Sequence, residues 1–209
     1  MVISTADGID AYFTIDPIDG TKAYIRRQSH GIGSMVAFVS NGVVESAYIG
    51  DINSQEIFGF RPDSSSVWRI TDLEVFERLE ASPPSVGIGD MYLLLRERER
   101  IYSPVSRQII DKFKSILIDG GSIGIWAARL WKGEVGGLLL NPSWETPWDS
   151  SPVIGISKKL GYVFLRPSRE GWGVYEPVVS KEKYERKHDT LIIHKNHLTQ
   201  LGKHVSVFK

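Results

Sequence analysis

The stretch Asp16-Pro17-Ile18-Asp19-Gly20-Thr21 constrains this chain more than any other. A β-rich run, Ala11 to Ile15, leads straight into it, which predicts a strand ending at Asp16. Pro17 holds its own φ and pushes Asp16 toward extended geometry, so the turn is stiff before anything binds. Two carboxylates held that close repel one another unless a cation lies between them. Hard divalent cations such as Mg²⁺ take oxygen ligands and retain waters, and a carboxylate pair beside a backbone carbonyl, that of Ile18, suits them. Gly20 lets the backbone approach a ligand closely, and Thr21 adds a hydroxyl where a helix can begin, with amides that favour phosphate. Metal with phosphate is the pairing that phosphoryl chemistry needs. The plainer alternative is a simple turn, with Asp19 capping a helix that starts at Thr21.

The rest of the chain mixes two periodicities. Ser34 to Val39 and Val43 to Ile49 are apolar runs joined by Asn41-Gly42, a strong hairpin signal. Glu56 to Phe60 and Ser66 to Ile70 extend the same antiparallel sheet. Ser82-Pro83-Pro84 and the glycines at 87 and 89 break the pattern and would make a subdomain joint near 82–90. Val105 to Phe113 then reads as a helix, and Ser115 to Ile118 as a strand. Ile123, Trp126, Ala127, Leu130 and Trp131 share one face of a helix that Gly133 closes. Val135 to Leu140 has strand length, and Asp149 to Leu160 reads as a helix with Asp149 at its N-cap. Val163 to Leu165 and Leu191 to His194 complete the strands. Strands and helices alternating in this way predict layered α/β packing.

Composition narrows the function classes. The chain has 209 residues, 42% of them hydrophobic, enough for one domain with a sizeable core. Lysine and arginine balance aspartate and glutamate at 25 each, so no overall field draws in a nucleic acid polymer or an anionic membrane. With no cysteine, disulfides and thiolate metal sites are excluded, and a cytoplasmic setting is expected. No apolar stretch approaches bilayer-spanning length, and the start carries no basic leader. The five histidines show no ligand spacing; His194 and His197 are expected to lie on either side of a strand boundary.

The segment DPIDGTKAYI, from Asp16, resembles the central signature of the inositol monophosphatase family of Mg²⁺-dependent phosphatases. PWDSSPVIGISKKLGY, from Pro147, resembles that family's later Trp-Asp motif opening a helix. Between them, DGGSIGIWAARLWKGEVGGLLL is similar to its Gly-Ser turn, long helix and following strand. Separate motifs in the same order are far more specific than one. The resemblance implies a layered αβαβα sandwich of the sugar-phosphatase type. It implies that Asp16, Asp19 and Asp149 are side-chain ligands to Mg²⁺ and that Ile18 is a ligand through its carbonyl. It implies that Gly20 and Thr21 hold phosphate, that Asp19 and Thr21 are catalytic, with the Thr21 hydroxyl orienting the attacking water, and that Gly121 and Ser122 border the substrate. A homodimer is a further expectation.

Two departures qualify that picture. The family's first motif, an acidic Gly-Glu-Glu segment, has no counterpart: no glutamate precedes Glu45. The chain thus reads as one domain over residues 1–209, N-terminally incomplete, with the opening helices and hairpin missing and apolar surface uncovered. Asp7 and Asp10 precede the strand but read as a solvent-facing turn rather than replacement ligands. The second departure is the Ser150-Ser151-Pro152 run after Trp-Asp, with the proline expected in the first helical turn, where it is tolerated.

The function expected is hydrolysis of a small phosphate monoester by metal-activated water, the ester being of the inositol phosphate or 3'-phosphoadenosine 5'-phosphate type. Lys22 resembles the nucleotidase branch, and Arg26 and Arg27 suit a second phosphate or else form a solvated helix end. The alternative is a catalytically impaired homologue that binds metal or phosphate or serves as an interaction module.

Overall fold

The computed structural model describes residues 1–4, 10–80, 86–168 and 171–206, with side chains as far as Leu201. The SPP segment and Asp7 lie outside the described residues, so the expected joint and one candidate carboxylate are not placed. The first half is an antiparallel meander: β1 (Val2–Ser4), β2 (Ala11–Asp19), β3 (Gly33–Ser40), β4 (Val43–Asp51), β5 (Glu56–Phe60), β6 (Val67–Thr71) and β7 (Val75–Leu79). A short helix, α1 (Thr21–Ile25), interrupts it between β2 and β3. The Asn41-Gly42 hairpin forms as expected, both residues taking positive φ (50° and 74°) to match the twist of the strands.

The second half builds a mixed sheet from β8 (Tyr92–Leu95), β9 (Ser115–Ile118), β10 (Gly137–Leu140), β12 (Tyr162–Ser168), β13 (Gly171–Tyr175), β15 (Thr190–His194) and β16 (Val205–Ser206). A small ribbon of β11 (Ser143–Glu145) and β14 (Tyr184–Arg186) stands apart. β9, β8 and β10 run parallel side by side, and α2 (Pro104–Ile110) makes the crossover from β8 to β9. Two longer helices, α3 (Ile123–Trp131) and α4 (Pro147–Lys159), fill the space between the sheets.

Burial explains the stacking. Met35, Ile49 and Phe58 from the meander close on Trp126, Trp131 and Ile156 from the helices and on Leu94 and Leu138 from the second sheet. Leu93, Leu95, Leu139 and Ile193 point the other way, onto Ile109, Ile110 and Phe113 around α2. The second sheet is therefore covered on both faces, which is why its parallel strands read as unbroken apolar runs. The meander is covered on one face only among the described residues. Its outer face carries Ile3, Phe13 and Phe38 in one cross-strand row and Ile57, Ile70 and Phe76 in another, with Phe13 40% and Phe76 63% exposed. Among the described residues the order is sheet, helices, sheet, helix, the layered α/β packing that was expected.

Three local expectations are corrected. β2 does not end at Asp16 but continues through Pro17 and Ile18 to Asp19, because the turn is a bulge that keeps pairing with β3. α4 begins at Pro147, with Thr146 at the N-cap, so Asp149 lies within its first turn and does not cap it. Pro152 consequently falls in the second turn, where it has no N–H to offer the Trp148 carbonyl. His194 ends β15 and His197 lies in the following 3-10 segment, both buried and their rings edge-on at 6.3 Å.

Candidate metal and phosphate site

The bulge in β2 answers how one strand can aim two carboxylates at the same place. Residues three apart in a regular strand point to opposite faces. Here Asp16 pairs with Met35 and Asp19 with Gly33, so three residue steps on β2 oppose two on β3. The extra residue reverses the alternation and returns both side chains to the inner face. There the first turn of α4 delivers Asp149, and one carboxylate oxygen from each of Asp16, Asp19 and Asp149 lies within 4.8 Å of the other two.

Each carboxylate is held differently. Asp19 is 8% exposed, and its Oδ2 accepts from the Ser122 hydroxyl and from the Gly124 N–H at 3.2 Å. Ser122 Oγ in turn accepts from Ile125 N–H at 3.1 Å, so the cap of α3 and the carboxylate form one relay. Burial raises the Asp19 pKa, the Ser122 and Gly124 donors oppose that, and Asp16 adds to it. Asp16 Oδ1 accepts from the Ile18 N–H at 3.1 Å, closing a turn of its own. Asp149 Oδ1 is buried without a hydrogen-bond donor. Burial pushes its pKa up to about 7; the neighbouring Thr146 hydroxyl opposes that rise, and repulsion from Asp19 and Asp16 adds to it. A buried carboxylate oxygen with no donor, facing two more carboxylates, is the chemistry of a cation ligand.

Three glycines bring the halves of the chain together at this point. Gly20 (φ +84°) and Gly121 (φ +114°) both rest on the backbone of Gly31, whose carbonyl accepts from Ser122 N–H at 2.9 Å. A Cβ on Gly20 would stand 2.1 Å from the Gly31 oxygen, and one on Gly121 would stand 2.6 Å from it. Side chains at either position would hold α3 away from the bulge.

The aspartates open into a cavity of about 640 Å³. Gly20, Thr21 and Gly121 line it, whereas Ser122 is fully buried behind the wall and turned to Asp19. Thr21 begins α1, and its hydroxyl donates to the Ile18 carbonyl at 3.1 Å. Lys22 and Arg26 also line the cavity; Arg27 does not, and Asp10 is paired with Lys181 at 2.8 Å, away from the cluster. Arg96, Glu97, Trp126 and Trp148 also line it and were not expected there. Polar residues directly after the apolar strand at 92–95 were the available signal, since such strand ends carry ligand sites in α/β sheets. The Trp126 indole N–H is buried and has no acceptor among the described residues.

No known family pattern matches the sequence, and no curated protein matches it. Solved structures do match the fold. An inositol monophosphatase family protein from Staphylococcus aureus MSSA476 superposes with a TM-score of 0.68 at 17% identity, over 94% of this chain and 69% of that one. An inositol monophosphatase from Zymomonas mobilis gives 0.65 at 17% identity, over 96% and 72%. An inositol monophosphatase/NADP phosphatase, solved with Mg²⁺ and phosphate, gives 0.65 at 16% identity, over 96% and 69%. The chain therefore has the inositol monophosphatase fold and spans about 70% of the length of these structures.

Proposed function

We propose that this chain is a Mg²⁺-dependent phosphatase acting on a small phosphate monoester. The observation that carries the reading is the convergence of Asp16, Asp19 and Asp149, with a donor-less buried oxygen on Asp149. The fold supports it, because a protein of the same architecture was solved with Mg²⁺ and phosphate and another with inositol monophosphate bound. Asp16, Asp19 and Asp149 would hold the cation, joined by the Ile18 carbonyl, whose second lone pair is left over after the Thr21 bond. When bound, the cation neutralises the ester phosphate and makes its phosphorus more open to attack.

The remaining roles belong to the chain itself. Gly20 and Thr21 offer amides to the phosphate where α1 opens. The Thr21 hydroxyl, already committed as a donor to Ile18, can only accept from a water and so orients it toward the phosphorus. Water adds to phosphorus, the P–O ester bond breaks, and the products are inorganic phosphate and the free alcohol. Asp19, held by Ser122 and Gly124, keeps this arrangement in register with α3. On this reading the partners are a small phosphorylated metabolite and a second copy of the chain, in the cytoplasm. No helix among the described residues is long and apolar enough to cross a membrane.

One observation favours a second reading, metal and phosphate binding without turnover. The remaining carboxylate lining the cavity, Glu97, is not part of the converging cluster. Phosphate release from inositol 1-phosphate and 3'-phosphoadenosine 5'-phosphate, with and without Mg²⁺, decides between them. Metal-dependent release that disappears in Asp149→Asn supports hydrolysis. Absence of release with Mg²⁺ binding intact overturns it in favour of the second reading.

A further inference from the structure

Asp149 reaches the cluster by way of a short ribbon. Ionised together, three carboxylates within 4.8 Å repel one another, so the first turn of α4 has to be held toward Asp16 and Asp19 against that repulsion. The turn is entered from β11, whose last residue, Glu145, adjoins the N-cap Thr146. The Thr146 carbonyl accepts from the N–H groups of Asp149 and Ser150 at 3.1 and 3.0 Å and from the Ser150 hydroxyl at 2.9 Å. Where Glu145 and Thr146 are placed, Asp149 follows. Yet β11 and β14 are three residues each and pair with no other sheet among the described residues, and a ribbon of that size is marginal by itself.

Arg186 supplies what the ribbon lacks. It stands in β14 opposite Ser143, with its side chain 6% exposed. Its Nε and Nη2 both donate to Glu145 Oε1, at 3.0 and 2.9 Å. Nη2 also donates to the Asn141 carbonyl at 2.8 Å, and Nη1 donates to the His188 carbonyl at 2.7 Å. One guanidinium thereby joins the chain leaving β10, the end of β11 and the chain entering β15. A planar fork suits this task, because one side chain must meet acceptors on three segments at once. Arg186 and Glu145 line a small cavity together with Asp149 and Ser150, so the pair stands directly beside the turn.

We infer that Arg186 is a positioning residue: paired with Glu145, it fixes the entry to α4 and so holds the Asp149 carboxylate against Asp16 and Asp19. It does not line the aspartate cavity and touches neither cation nor phosphate. The inference rests on the proposed function only for what Asp149 is held to do; the clamp itself is a matter of backbone placement. Removing a partner that orients a metal ligand typically costs about 10–100-fold in metal affinity. Opening of the first turn of α4 would expose the Asp149 and Ser150 N–H groups, so hydrogen exchange reads the clamp without any metal.

The test compares the full chain with three variants by Mn²⁺ titration and by amide hydrogen exchange followed by NMR. Arg186→Lys keeps the charge but not the fork. Arg186→Met combined with Glu145→Leu replaces the buried pair by apolar side chains, an exchange that often leaves stability unchanged. Lys158→Gln removes an exposed ion pair with Glu176 near the far end of α4 and serves as the control. Both clamp variants are expected to weaken Mn²⁺ binding about tenfold and to speed exchange at Asp149 and Ser150 about tenfold, with exchange at Ala127 and Ala128 in α3 kept. Lys158→Gln changes neither. Where phosphate is released, the Mg²⁺ concentration giving half the maximal rate rises in the clamp variants, while kcat at saturating Mg²⁺ is kept. Clamp variants whose Mn²⁺ affinity, or whose exchange at Asp149 and Ser150, stays within about twofold of the parent overturn the inference, as does equal acceleration in α3, the mark of general loosening. A parent that binds no Mn²⁺ overturns the proposed metal site instead, and exchange alone then decides the clamp.

Discussion

The Ser122 hydroxyl donates to the Asp19 carboxylate, joining residues 103 positions apart. The same oxygen caps α3 by accepting from Ile125 N–H. Ser122→Ala therefore removes a cap and a buried donor together, and is expected to cost about 1–3 kcal/mol in urea unfolding. It should also weaken divalent-cation binding, since Asp19 loses a partner that favours its charged form. Identical unfolding midpoints for the two proteins would show that the relay contributes nothing.

Without metal, stability should fall as pH rises. The Asp149 carboxyl ionises near 3.9 when unfolded and at about 7 when folded. Between those values the native state binds the extra proton, so the stability slope is negative across that window and levels off above it. Thermal unfolding in a chelator should show the Asp149→Asn variant gaining on the parent from pH 5 to pH 8, by on the order of a few kcal/mol. Mg²⁺ should reverse the ranking at pH 8. A parent and variant that track one another across this range would contradict a raised Asp149 pKa. Buried His194 and His197, whose pKa values burial lowers, act in the opposite sense: their contribution is lost below pH of about 6.5 in both proteins.

Gly121→Ala should damage fold and site together. The new Cβ meets the Gly31 oxygen, and φ at +114° already disfavours a side chain. The expected loss is about 2–4 kcal/mol, with a larger fall in metal affinity than in secondary structure, because what moves is the N-terminus of α3 against the bulge. Circular dichroism beside a Mn²⁺ titration would measure both; wild-type metal affinity in a folded variant would refute the argument.

The uncovered face of the meander predicts self-association. Phe13 and Phe76 stand on its outer rows and take no part in the core. Converting both to lysine should raise the monomer fraction in sedimentation velocity while changing Tm by no more than a few degrees. If the unaltered protein is monomeric at high concentration, this expectation fails.

How far the site could be read in advance follows from how local each part is. Asp16, Asp19 and Thr21 fall within six consecutive residues, and the stiff Pro17 turn makes their chemistry visible without a fold. Asp149 could be paired with them only through the order of two motifs, and its place in the first turn of α4 depended on Pro147 starting the helix earlier than expected. Arg96 and Glu97, which line the cavity, left almost no trace. A run of alternating charge looks like a solvated surface unless one knows that it sits where a parallel strand ends. The seventh meander strand escaped notice because Val75 to Leu79 carries alternating charge and lies at an exposed edge.

Sequence alone determined the layered α/β class, the hairpin at Asn41-Gly42, the α3 face and the acidic turn, because periodicity and turn stereochemistry act over a few residues. Only the tertiary structure decided that the turn is a bulge reversing the parity of Asp16 and Asp19, that Ser122 serves Asp19 rather than the cavity, and that Arg96 lines the aspartate cavity. Those outcomes depend on strand register and on the Gly20, Gly31 and Gly121 backbones meeting, contacts between segments far apart in the chain. No local pattern encodes such distances, since they exist only once two sheets and the helices between them have packed.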